Sequence, residues 1–202
     1  MRRRRRKAGK RRYRKRLDLI CEGGKTEPGY FNWIKTIIKK DKIHIDIKYR
    51  RSGYSPEELV KVATGLENGQ YRQGDEIWII MDVDNWTDTQ FNKVEAWRRQ
   101  NKSHNVAVTN PKFEYWLLLH GEKDPGFLNS QKCSELFNKT MGKNKEVDTA
   151  KLSLEGVLLA ADRARIKYQS GTTKIYNFIP ANCGSSLYKL IDKIQDYFME
   201  QH

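Results

Sequence analysis

Apolar residues along this 202-residue chain change their spacing several times, and each change predicts an element. Residues 17–21 are short and mostly apolar, which predicts a strand, and the Glu-Gly-Gly-Lys-Thr-Glu-Pro of 22–28 predicts a turn. Tyr30, Phe31, Trp33, Ile34, Ile37 and Ile38 recur at helical spacing, predicting an amphipathic helix over about 29–40. Residues 43–49 alternate strictly, as a half-buried strand does. Ser55-Pro56-Glu57-Glu58 is a capping box with proline at the first helical position, and it opens a helix to about Glu67. The unbroken apolar run at 77–81 predicts a strand buried on both faces. A helix over about 88–101, a strand at 106–108 and a short apolar helix from Asn110-Pro111 to His120 follow. Helices are expected over about 130–141, 150–168 and 186–200.

Strands alternating with helices imply an α/β fold: a Rossmannoid, mostly parallel sheet flanked by helices on both faces. The expected division is a disordered basic arm (1–16), an α/β core (17–120) and a mainly helical C-terminal part packed on it (121–202). In such sheets ligands bind beyond the carboxyl ends of the strands. Glu22 follows the first strand, and Asp82 and Asp84 end the most buried one.

Charge adds a second feature. The net charge is +14, and twelve of the 39 Lys and Arg residues fall within 1–16, which holds no acid. The rest has 27 basic and 25 acidic residues, close to neutral. Arg2, Arg3, Arg4, Arg5, Arg6, Lys7, Arg11, Arg12, Arg14, Lys15 and Arg16 are therefore candidate nucleic-acid-binding residues, acting through counterion release. A solvated tail that aids solubility is the plainer reading, and a membrane-surface role lacks an apolar face. Cys21, Cys133 and Cys183 form no CxxC pair and the four histidines do not cluster, so neither a disulfide framework nor a zinc site is expected. No apolar run approaches the roughly 20 residues of a membrane helix, and no apolar stretch follows the basic N-terminus. A cytoplasmic location is expected.

Side chains two apart on a strand face the same way, with backbones about 6.6 Å apart, so Asp82 and Asp84 can converge on one hard cation. Mg²⁺ (or Mn²⁺) prefers such oxygen ligands and keeps several waters, so one or two carboxylates with a substrate phosphate suffice. Glu22 completes that site or acts as general base. An aspartate after a strand also caps helices and turns, and a DxD arises often by chance. Gly24-Lys25-Thr26 has the tail of a phosphate-binding P-loop, but Leu19 stands where that motif needs glycine, which excludes it. Lys25 is then a point charge beside a phosphate. Of the tryptophans, Trp86 beside the acidic pair is the one placed to stack on a base, while most of the others suit the core. His120 suits a structural role.

Three segments carry a resemblance. Cys-Glu-Gly-x-Lys-Thr-Glu-Pro at 21–28, Asp-Val-Asp at 82–84 and Asn-Pro-Lys-Phe-Glu-Tyr-Trp-Leu-Leu-Leu-His at 110–120 resemble the RloB-like family, associated with restriction and abortive-infection loci and with a Toprim-like fold. The resemblance implies proton transfer by Glu22 and Mg²⁺ binding by Asp82 and Asp84. Glu27 and Glu114 match further acidic positions and become candidates for a second metal or its surroundings. It also implies a partner ATPase of the RloA type in an anti-phage defence system. The expected activity is a Mg²⁺-dependent nuclease acting on DNA or RNA, with Glu22, Asp82, Asp84 and Lys25 catalytic. The alternative is a non-catalytic nucleic-acid-binding or regulatory subunit of the ATPase. Phosphoryl or nucleotidyl transfer to a small molecule is a third reading, disfavoured by the polycationic arm.

Overall fold

The apolar run at 77–81 becomes the central strand of a five-stranded sheet. The computed structural model describes residues 13–67, 71–83, 86–170, 176, 178–180 and 182–199. Strand β1 (Lys15–Cys21) and strand β4 (His104–Asn110) flank β3 (Glu76–Asp82). Strand β2 (Ile43–Lys48) lies outside β1, and the short β7 (Gly184–Ser185) lies outside β4, giving the order β2-β1-β3-β4-β7. The first four strands are parallel, as expected, and only β7 runs antiparallel.

The pleat sorts the core into two layers. Leu17, Leu19 and Cys21 of β1, with Trp78 and Ile80 of β3, face one side. There they meet α1 (Thr26–Ile34), α4 (Phe113–Leu118), α5 (Ser130–Thr140), α6 (Leu154–Ser170) and α7 (Tyr188–Ile194). Ile20, Ile77, Ile79 and Met81 face the other side, against Leu59 and Ala63 of α2 (Pro56–Glu67) and Phe91, Val94 and Trp97 of α3 (Asp88–Gln100). Each such side chain contributes roughly 1.5–3 kcal/mol by leaving water. The last three helices thus share a core with α1 and α4, and the 121–202 part is a helical extension of the same body. Among the described residues no helix is long and apolar enough to cross a membrane.

Three expectations change. Strand β1 starts at Lys15, so Lys15 and Arg16 belong to the sheet and not to the arm. They pair with Ile43 and His44, and local acids hold their charges: Lys15 Nζ lies 3.0 Å from Glu76 and Arg16 Nε 2.9 Å from Asp18. Arg14 donates to the Lys40 carbonyl at 3.1 Å. Arg2, Arg3, Arg4, Arg5, Arg6, Lys7, Arg11 and Arg12 lie outside the described residues. Helix α1 begins three residues early, because Pro28 needs no helical N–H in a first turn. It also stops early, because Ile38 forms a β-bridge with Phe198 while the Ile37 carbonyl accepts from Met199 N. Two small strand pairings escaped the sequence reading: β7, and a hairpin of β5 (Gly142–Lys143) and β6 (Glu146–Val147).

Candidate functional site

Parallel register brings the strand ends together. Cys21 pairs with Ile80 and Asp82 with Thr109, so the turns after β1, β3 and β4 open on one edge of the sheet. A cavity of about 530 Å³ lies there, lined by Glu22, Glu27, Asp82 and Glu114 among others. The expected carboxylates therefore share one site, except Asp84, which falls outside the described residues.

The turn after β1 is built for close approach. Glu22 continues the ladder through its N–H to the Ile80 carbonyl (2.9 Å) and turns its carboxylate across to β3. There Oε2 accepts from Asp82 N at 2.9 Å and Oε1 from Trp86 Nε1 at 3.2 Å. The indole expected to stack on a base is thus tied to Glu22. At Gly24 a Cβ would sit 2.5 Å from the Arg51 carbonyl oxygen, so only glycine lets the 50–53 turn pack on this one. At Gly23 a Cβ would collide with the Glu27 carboxylate, which accepts from Gly23 N at 2.9 Å.

Glu27 and Glu114 are buried beside each other. Burial, reinforced by the Glu114 charge, raises Glu27 to about 6, while hydrogen bonds from its own N–H and Gly23 and the Lys145 charge pull the other way. Cys133 lies close by, its thiol pushed up to about 12 by burial and by the charges of Glu114 and Asp82. Two adjacent carboxylates with a burial cost form an oxygen-donor environment that a divalent cation relieves. Among the described residues no three His, Cys, Asp or Glu groups gather tightly enough to hold a metal ion by themselves. The donor set fits an ion that shares its coordination with water and substrate.

His120 is buried in the core, yet unlike the satisfied structural histidine expected, neither ring nitrogen has a hydrogen-bond partner among the described residues. Burial alone lowers it to about 3, and it packs edge-on against Tyr30 and Trp116 with ring centroids 5.5 and 5.6 Å away. Trp78, Trp97 and Trp116 are core residues.

The sequence reading found one cation of the site, Lys25, whose ammonium is 3.3 Å from Glu146. It missed Arg50, Arg51, Lys112 and Lys145, which also line the cavity. Arg50 and Arg51 follow the carboxyl end of β2, where the strand-end rule points, and Lys112 lies inside the 110–120 segment. Nothing local marks Lys145: the β5–β6 hairpin brings it in from the stretch between the helices expected at 130–141 and 150–168.

Searches of curated proteins and of solved structures gave no match. A family model described as RloB-like protein matches residues 19–194, a span that takes in every strand and helix from the body of β1 to the end of α7 and the candidate carboxylates Glu22, Glu27, Asp82 and Glu114; the chain belongs to the RloB-like family.

Proposed function

We propose that this protein is a metal-dependent nuclease that hydrolyses phosphodiester bonds at the β1–β3 strand ends. The observation that carries the reading is the convergence of Glu22, Asp82, Glu27 and Glu114 on one cavity whose remaining lining includes five Lys and Arg residues. Carboxylates suit a hard cation, and cations suit the phosphates that flank a scissile bond. Asp82, together with Asp84, would hold Mg²⁺ or Mn²⁺, with Glu27 and Glu114 in support. A bound Mg²⁺ supplies charge stabilisation at the reacting phosphate. The chain's own part is positioning and proton transfer. Glu22 is fixed by the Asp82 N–H and the Trp86 indole, so its carboxylate is pre-oriented to take a proton from the attacking water. Lys25, paired with Glu146 at 3.3 Å, adds positive potential at the site without gripping the phosphate itself. The basic residues before β1 raise substrate occupancy. Membership of the RloB-like family supports an effector role in anti-phage defence beside an ATPase of the RloA type.

The test combines metal titration with cleavage. Calorimetry of Mn²⁺ and Mg²⁺ is run on the wild type and on Asp82→Ala, with circular dichroism to confirm folding. Labelled single-stranded DNA, duplex DNA and tRNA are then incubated with both, with and without the partner ATPase. Metal binding and cleavage by the wild type, both lost in the folded variant, is the expected result. Wild-type rates in Asp82→Ala would sink the nuclease reading. Nucleic-acid binding without metal binding or cleavage would leave the non-catalytic subunit in its place.

A further inference from the structure

The five cations of the cavity are not equivalent. Three are committed within the protein: Lys25 to Glu146 at 3.3 Å, Arg50 to Glu58 at 2.8 Å, and Lys112 to the Ser134 hydroxyl at 3.1 Å. Arg51 and Lys145 are different. Both are exposed, and among the described residues neither side-chain charge enters an ion pair or hydrogen bond.

Both also sit at the tips of tight turns docked on the acidic turn. Arg51 occupies the turn closed by Gly53 N donating to the Arg50 carbonyl at 2.8 Å, with Gly53 at φ +80°. That turn lies on Gly24, where a side chain would strike the Arg50 and Arg51 carbonyls. Lys145 occupies the β5–β6 hairpin tip, and the Thr26 hydroxyl donates to its carbonyl at 2.9 Å. Its φ of +64° is a left-handed conformation that lysine rarely adopts and glycine adopts freely. For stability alone, glycine would serve better there. A lysine in that place, whose ammonium makes no ion pair or hydrogen bond among the described residues and reaches Glu27 only at longer range, points to a ligand.

We propose that Arg51 and Lys145 grip phosphates of the substrate on either side of the acidic floor. The proposal rests on the nucleolytic reading and deepens it by dividing the labour: Lys25, Arg50 and Lys112 shape the site, while Arg51 and Lys145 touch the polyanion. Both turns are docked on residues 24–26, so any distortion of that segment moves both together.

The probe is a fluorescent six-nucleotide single strand, with anisotropy measured in Ca²⁺ over a range of salt. The full-length wild type is compared with Arg51→Ala, Lys145→Gly and Lys112→Ala, each checked by thermal denaturation. Arg51→Ala and Lys145→Gly are each expected to weaken binding about tenfold. Each should also flatten the slope of log affinity against log salt by about 0.7, the signature of one fewer phosphate neutralised on a single strand. Lys145→Gly should melt no lower than the wild type. A purely structural role would move the melting temperature and leave the salt slope alone. If Lys112→Ala weakens binding while the other two match the wild type, the site stands and this assignment falls. If none of the three changes binding, the cavity is not the nucleic-acid site and the nucleolytic reading falls with the assignment.

Discussion

Glu27 is the residue whose environment makes the sharpest statement. Its carboxyl is raised to about 6 from 4.5, so the fold favours the neutral form. The folded state therefore holds a proton that the unfolded chain has lost, between about pH 4.5 and 6, and the stability linked to neutral Glu27 is lost as pH rises through that window. His120 has the opposite sign: lowered to about 3 by burial, it withdraws stability as pH falls below about 6.5. Substituting Glu27 separates the two, because His120 is common to both proteins. Glu27→Gln keeps an oxygen for Gly23 N and imitates the protonated acid. At pH 8 in metal-free buffer it should be more stable than the wild type by on the order of 1–2 kcal/mol, and at pH 4 the two should coincide. Urea denaturation at the two pH values checks this. A variant less stable at pH 8 would mean that the carboxylate is held by compensating charge.

Elements account for what the sequence revealed and what it hid. The apolar run before Asp82 and the alternation of β2 are properties of single strands, so the parallel sheet and the placing of Glu22 and Asp82 at its edge were legible. The capping box of α2 was legible too, and Ser55 N donates to Glu58 at 2.9 Å. The β5–β6 hairpin and β7 were not, because each has only two residues per strand and β7 pairs with β4, far off in sequence. Ser186 shows how such a short element is fixed. Its hydroxyl accepts from Val108 N at 2.8 Å and donates to the Phe178 carbonyl at 2.6 Å. It thereby braces the end of β4, from which the chain continues to Lys112 and Glu114. The hydroxyl is fully buried, so Ser186→Ala leaves Val108 N without its acceptor and should cost about 1–3 kcal/mol. Thermal unfolding would register the loss, and metal affinity should fall with it if the brace positions Glu114. A variant as stable as the wild type would show that water replaces the hydroxyl.

At the scale of the whole molecule the question is where the charged N-terminus ends and the fold begins. Nine of the residues 2–12 are basic, whereas Lys15 and Arg16 lie in β1 and are paired with Glu76 and Asp18. Asp18 is fully buried, and its carboxyl is raised by that burial against the pull of Arg16. Two truncations should therefore behave differently. Removing 2–12 should leave the melting temperature unchanged and flatten the salt dependence of duplex binding by about 0.9 for each phosphate no longer neutralised. Affinities of truncated and intact protein should then converge as salt rises. Removing 2–16 should in addition strip two ladder pairs from β1 and leave Asp18 buried without Arg16, at a cost of roughly 3 kcal/mol or more. Calorimetric melting with anisotropy on the same samples reads both effects. Equal melting temperatures for the two truncations would place Lys15 and Arg16 outside the cooperative fold. A lower melting temperature for the longer truncation alone would show that the same basic stretch serves two ends, polyanion attraction in its first residues and sheet closure in its last.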